Sequence, residues 1–231
     1  MPIARRPLLE YWLCTLCRSE ISKVLVNIHH HRCVVEEFLK QPQFEGWVCD
    51  VFEPKLLGTA GTIRQNWKAL ENRRILLIHA DNWCQCDFSK FLDFHLYHRP
   101  QHTVMTMMTF RSESPSDCGI LELDPNGVVT KLHEKVDDPP GNLANGAIYL
   151  LEPTVLDWLM QNPTVTDFST EVLPQFFDQI ATWENTGIHR DIGKISSLRL
   201  AQLDPMPKQC WPEAQSWYHG FQDNSIHSMV C

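Results

Sequence analysis

Between residues 23 and 110 the sequence alternates short apolar or β-branched runs with stretches of helical periodicity, and no other feature restricts the fold as tightly. Residues 23–28 read as a strand, His29, His30 and His31 as a polar break, and the chain to about Lys40 as a short helix. Residues 47–53, 75–80 and 103–110 are further strands, separated by helical patterns over 59–70 and 87–98. Such alternation builds βαβ units and a mostly parallel, Rossmann-like α/β sheet. An amphipathic helix precedes the series, with Leu8, Leu9, Trp12, Leu13 and Leu16 at helical spacing behind Pro7. After Phe110 the rhythm changes: Asn126-Gly127 between runs 118–124 and 128–134 predicts a hairpin, hence an antiparallel insert. A strand over 144–151 and helices over 154–160, 169–177 and 194–203 complete one domain, 1–203, followed by a loosely packed tail, 204–231.

With 231 residues and 43% hydrophobic content the chain can bury a core, which excludes disorder. A net charge of −8 without a long basic run argues against a nucleic-acid partner. No apolar stretch reaches the roughly 18 residues of a membrane span and no signal peptide opens the sequence, so no membrane association and a cytoplasmic location are expected. Nine cysteines, an odd number, read as reduced and mostly buried thiols rather than a disulfide framework. Cys14 and Cys17, Cys84 and Cys86, and the three consecutive histidines have spacings a metal or redox centre could use. An apolar helix face and a polar loop explain them as well.

Ligands of open α/β sheets bind beyond the carboxyl ends of the strands. Three such places carry chemistry. After the second strand, Glu53 leads into Gly58, Thr59, Ala60 and Gly61, which open a helix whose first N–H groups attract an anion or a base edge; turn formation is the competing reading. Asp81 ends the most hydrophobic strand, where a carboxylate holds a divalent cation or simply caps a helix. Asp191 is a second acid before a helix, and Mg²⁺ commonly takes one or two carboxylates plus substrate phosphates.

The ordered set Arg6-Pro7-Leu8-Leu9-Glu10-Tyr11-Trp12, Leu56-Leu57-Gly58-Thr59-Ala60-Gly61, His79-Ala80-Asp81-Asn82, Glu134-Lys135, Gly141-Asn142-Leu143-Ala144-Asn145-Gly146-Ala147 and Asp191-Ile192-Gly193 resembles the sugar-1-phosphate nucleotidyltransferases. The branch with mannose-1-phosphate guanylyltransferases is the nearest in pattern. The resemblance implies a nucleotide-diphospho-sugar transferase fold and transfer of a nucleoside monophosphate from a triphosphate, GTP first, to a sugar 1-phosphate with release of pyrophosphate. It implies that Glu53, Gly58, Thr59, Ala60 and Gly61 meet the nucleotide, and that Asp81 and Asp191 are catalytic through Mg²⁺. It further implies that Gly119, Glu134, Lys135 and Asn145, with the last three on adjacent strands, line the sugar-phosphate site. A solvated strand end is the alternative for Glu134 and Lys135. Base, sugar and homo-oligomerisation stay open.

Members of that family begin with a strand, a Gly-rich loop ending in arginine and a Pro-Lys pair, and Met1 aligns just after that lysine. The resemblance therefore implies a first strand missing from the sheet, two neighbours without ladder partners, and little or no turnover by the chain alone. A non-catalytic nucleotide-sugar-binding regulatory subunit or a decayed enzyme fragment is the second expectation.

Overall fold

The structure, a computed structural model, describes residues 1–19, 21–212, 216–224 and 227. Short strands β1 (Pro2–Ile3) and β2 (Arg6–Pro7) lead into helix α1 (Leu8–Arg18), then β3 (Val24–Ile28), α2 (Arg32–Leu39) and β4 (Val48–Phe52). Next come α3 (Gly58–Gln65), α4 (Trp67–Leu70), β5 (Ile75–Ile78), β6 (Asn82–Gln85), α5 (Phe88–Asp93) and β7 (Met105–Arg111). The chain continues with β8 (Gly119–Leu123), β9 (Val129–Glu134), β10 (Leu143–Leu151), α6 (Pro153–Gln161), β11 (Ile180–Glu184), β12 (Ile188–Asp191), α7 (Ile195–Leu203) and α8 (Ser216–Gln222). The strands β6, β11 and β12 are absent from the sequence reading, being four or five residues long with little alternation. The helix expected over 169–177 is instead a π turn, Phe168–Val172, and a 3-10 turn, Leu173–Phe176. Pro174 has no N–H to continue an α-helical ladder. No helix among the described residues is long and apolar enough to cross a membrane.

Contacts divide the chain into two compact units, each discontinuous in sequence. The first comprises Met1–Leu56, Ala80–Gln85 and Ile188–Cys231; the second, Leu57–His79 and Cys86–Gly187. In the first unit, β3 and β4 pair in parallel, from Val24 opposite Val48 to Ile28 opposite Phe52, with α2 in the crossover that a parallel pair requires. Leu13 of α1 buries against Ile28, Phe38, Leu39 and Phe44, and Trp211 and Trp217 pack onto the same cluster. The expectation of a loose tail is thus corrected for its described part. Trp217 lies 4.8 Å from Phe38 and Trp211 5.2 Å from Phe44, ring to ring, because aromatic side chains so close to an apolar cluster gain more from burial than from solvation. The remainder of the tail lies outside the described residues.

The cysteine reading is corrected too. Cys14 forms a disulfide with Cys210, and of the other described cysteines only Cys84 is buried. Among the described residues no group of three or more His, Cys, Asp or Glu side chains is disposed to hold a metal ion.

The second unit is built on a mixed six-stranded sheet in the order β11-β7-β10-β8-β9, with β5 on β10. Only β11 and β7 run parallel; the remaining pairs are antiparallel. The hairpin between β8 and β9 forms where Asn126-Gly127 predicts it. Gly127 takes a left-handed φ of 77°, and the Asp124 carboxylate accepts from the N–H groups of Asn126 and Val128, 2.8 Å each. Met105, Met107, Tyr149, Leu151, Val155, Leu156, Leu159 and Phe168 belong to the core under this sheet. Among the described residues the only strand paired with β5 is β10, and the only one paired with β3 is β4.

His95 is a titratable residue buried in the second unit, and its charge state bears directly on stability. It is 1% exposed, with Nδ1 2.7 Å from the Thr106 hydroxyl and Nε2 3.4 Å from Glu152, whose carboxylate also binds Arg99 and Arg74. Burial, then the Arg99 charge, push its pKa down from 6.5 to about 4, outweighing the pull of Glu152. In that window the unfolded chain binds a proton that the folded chain refuses, so this contribution to stability is full above pH 6.5 and is lost as pH falls to about 4. The loss expected from this one group is about 3 kcal/mol. Urea titrations between pH 7 and pH 4 check it: His95→Gln should flatten this part of the slope, and an unchanged slope would show that His95 titrates normally.

Candidate functional site

Asp81 and Asp191 both belong to the first unit. Strands β6 and β12 pair antiparallel with Asp191 opposite Asn82 and Arg190 opposite Trp83. Asp81 immediately precedes β6 and Asp191 ends β12, so the register brings the two acids to neighbouring positions at one end of the pair. Both are exposed. Asp191 Oδ1 accepts from the N–H of Gly193, 2.8 Å away, which orients the side chain and leaves its other oxygen for a ligand. No hydrogen bond or ion pair engages the Asp81 carboxylate among the described residues. Two oxygen donors in water suit a hard cation that keeps several waters and takes phosphate oxygens, so the residues present fit Mg²⁺. Glu53, just beyond β4 in the same unit, is 1% exposed; its N–H donates to Ile28 O at 2.9 Å and its carbonyl accepts from His29 Nδ1 at 2.7 Å.

In the second unit, Gly58 begins α3 with a left-handed φ of 73°, and a Cβ there would lie 2.4 Å from the carbonyl oxygen of Thr166. That carbonyl accepts from the N–H of Ala60 at 3.0 Å. Of the expected nucleotide-binding residues, Gly58 is exposed and Thr59 half-buried, whereas Ala60 and Gly61 are buried. One first-turn N–H expected to meet a ligand is therefore engaged by the protein, and Gly61 serves packing, since its Cβ would stand 2.8 Å from the Leu57 Cβ. The Thr59 hydroxyl lies 3.4 Å from His79 Nε2, at the carboxyl end of β5.

The sugar-phosphate residues group differently from expectation. Glu134 and Asn145 do not stand on adjacent strands: β8 intervenes. Gly119 of β8 pairs with Glu134 of β9, and Ala144 pairs with Ile120, which puts Asn145 beside Gly119. A Cβ on Gly119 would lie 2.7 Å from Glu134 Oε2, so the missing side chain lets the carboxylate lie across β8. Asn145 is largely engaged already. Its Oδ1 accepts from the N–H of Ala147 and the hydroxyl of Tyr149, 2.9 Å each, and its Nδ2 donates to that hydroxyl at 2.8 Å. These bonds hold the irregularity in β10 between Asn145 and Tyr149, where Ala147 has a φ of 54°. Burial pushes the Tyr149 phenol well above its ordinary range, so it stays protonated as a donor. Lys135 is exposed, with a φ of 50° and its N–H on Cys118 O at 3.2 Å.

No motif in the sequence marks Asp167 or Tyr149 for a functional role. Burial raises the Asp167 carboxyl, but hydrogen bonds from the N–H and hydroxyl of Thr170, with help from His79, hold it below its ordinary value, so it is ionised at neutral pH. Asp167-x-x-Thr170 is legible as a helix cap, whereas its electrostatic relation to His79 depends on folding.

A family model described as Nucleotidyl transferase matches residues 1–205. Among curated relatives, the mannose-1-phosphate guanylyltransferase catalytic subunit beta of Drosophila melanogaster is 27% identical over 216 residues, covering 86% of this chain and 57% of the relative. The mannose-1-phosphate guanyltransferase of Saccharomyces cerevisiae is 25% identical over 196 residues, 82% and 53% respectively. Glucose-1-phosphate adenylyltransferase of Bacillus subtilis is 28% identical over 158 residues, 64% and 41%. The chain spans about half the length of the curated relatives it matches. Among solved structures, HddC from Yersinia pseudotuberculosis superposes with a TM-score of 0.74 at 19% identity over 88% of this chain and 87% of that one. The likeness shows the α/β fold with its mixed sheet.

Proposed function

The chain belongs to the nucleotidyl transferase family, and from that premise we propose that it works in nucleotide-sugar synthesis in the cytoplasm, on a nucleoside triphosphate and a sugar 1-phosphate. In this reading an oxygen of the sugar phosphate attacks the α-phosphorus of GTP, the sugar being mannose, and pyrophosphate leaves. No covalent intermediate with the protein is needed, so its tasks are positioning and charge neutralisation. Asp81 and Asp191 hold Mg²⁺, which when bound supplies positive charge to the phosphates. Gly58, Thr59 and Glu53 serve the nucleotide, with Ala60 and Gly61 setting the helix start. Glu134 and Asn145 offer hydrogen bonds to sugar hydroxyls, Gly119 makes room for Glu134, and Lys135 balances phosphate charge.

The observation that carries the reading is the placement of Asp81 and Asp191 at one end of the β6–β12 pair, in a chain of this family. What supports guanine and mannose is the run of mannose-1-phosphate guanyltransferases among the relatives. The test is pyrophosphate release with Mg²⁺ across the common triphosphates and hexose or heptose 1-phosphates, paired with calorimetric titration of GDP-mannose. Turnover by the chain alone should be weak or absent, and what there is should be highest, as kcat/KM, for GTP with mannose 1-phosphate. Binding of a nucleotide sugar without turnover would favour a regulatory subunit, and neither binding nor turnover would overturn the proposal.

A further inference from the structure

The segment that follows α7 lies along the first unit as a strap with three kinds of anchor. At its start the Asp204 carboxylate accepts from Trp83 Nε1 at 2.9 Å and from Arg190 Nε and Nη2 at 2.7 and 2.8 Å, while Pro205 O accepts from Gln85 Nε2 at 2.7 Å. Those partners stand on β6 and β12. Further on, the Arg18 guanidinium of α1 donates to the carbonyl of Lys208. At its end, Cys210 is bonded to Cys14 of α1, across 196 residues of sequence.

The geometry of the cysteines explains the pairing. Cys14 and Cys17 are one helical turn apart, where Cβ atoms sit about 5–6 Å from each other, too far for the roughly 3.5–4.5 Å that a disulfide needs without unwinding the helix. The Cα atoms of Cys14 and Cys210 are 5.6 Å apart, inside the range that closes without backbone movement. Cys14 is only 4% exposed, whereas Cys210 is half-buried, so a small thiol or disulfide reaches the bond from the Cys210 side.

We propose that Cys14 and Cys210 form a reversible thiol–disulfide clasp that closes the strap 204–210 onto α1 and beneath the β6–β12 pair. The oxidant is a small-molecule disulfide such as oxidised glutathione. One protein thiolate attacks it, forming a mixed disulfide and releasing one glutathione thiolate. The second protein thiolate then displaces the other glutathione. The two cysteine sulfurs together lose two electrons, the oxidant gains them, and the two thiol protons end on the two glutathiones. A thiol such as dithiothreitol reverses the sequence. This inference does not depend on the proposed enzymatic reaction.

The exposed Lys208 reports the strap's state, because trypsin cleaves there only when the segment opens locally. The full chain, equilibrated with oxidised glutathione or with dithiothreitol, would be digested with trypsin and cleavage after Lys208 followed by mass spectrometry, with disulfides mapped in the same samples. The oxidised sample should contain the Cys14–Cys210 linkage and be cut after Lys208 about tenfold more slowly than the reduced one. Cys210→Ser should be cut at the fast rate in both buffers, and Cys17→Ser should keep the full difference. The proposal is overturned if Cys14 and Cys210 remain thiols under oxidant, if Cys14 links to Cys17 instead, or if the linkage forms without slowing cleavage. Should Cys210→Ser fail to fold, the oxidised and reduced wild-type samples decide alone.

Discussion

Gly58→Ala is expected to lower the thermal midpoint by about 10 °C, against about 3 °C for Gly46→Ala. Both glycines have a φ of 73°, so alanine bears the same left-handed strain at each, about 1 kcal/mol. They differ in surroundings. Nothing lies within 4 Å of a Cβ on Gly46, whereas one on Gly58 would stand 2.4 Å from Thr166 O and 2.9 Å from its carbonyl carbon. Both atoms are backbone, and the segment cannot easily recede. Thr166 O accepts from Ala60, and the N–H groups of Thr166 and Asp167 donate to the Glu171 carboxylate at 2.9 and 2.7 Å. The added cost is about 2 kcal/mol, in the range of overpacking a rigid site. Calorimetric scans of the two variants beside the wild type measure the difference, and equal shifts would show that the 166 segment yields freely.

Asp81→Ala is expected to abolish whatever Mg²⁺-dependent pyrophosphate release the chain supports, because it removes half of the carboxylate pair that would hold the cation. Asp191→Asn is the informative companion. Its amide oxygen still accepts from the Gly193 N–H, so the turn after β12 is kept while one negative charge is lost. The Mg²⁺ concentration for half-maximal rate should then rise about tenfold with a smaller loss at saturating metal. Initial rates across a Mg²⁺ titration separate the two effects. Variants that match the wild type in rate and metal dependence would sink the role of these acids. Calorimetric Mg²⁺ binding in the presence of a nucleotide reads the same pair without turnover.

Much of the fold is legible in the sequence because local pattern and chain connectivity govern it. The short apolar run at 75–80, too brief for a typical helix, reads as a strand and forms β5 over Ile75–Ile78, helical periodicity behind Pro7 makes α1, and Asn126-Gly127 makes the β8–β9 hairpin. The family likewise follows from an ordered set of short motifs, which a match over residues 1–205 bears out. What the sequence could not decide is which strands are neighbours. Strand β8 inserts between β9 and β10, so Glu134 and Asn145 flank Gly119 on its two sides, and β12 joins β6 over more than 100 residues of chain. Short strands such as these carry little pattern of their own and are stabilised by the partners they find. Burial of Ala60 and Gly61, the tie between Asp167 and His79, and the choice of Cys210 over Cys17 as partner for Cys14 belong to the same class. Each depends on distances between residues remote in sequence, and those exist only once the chain has closed its long loops.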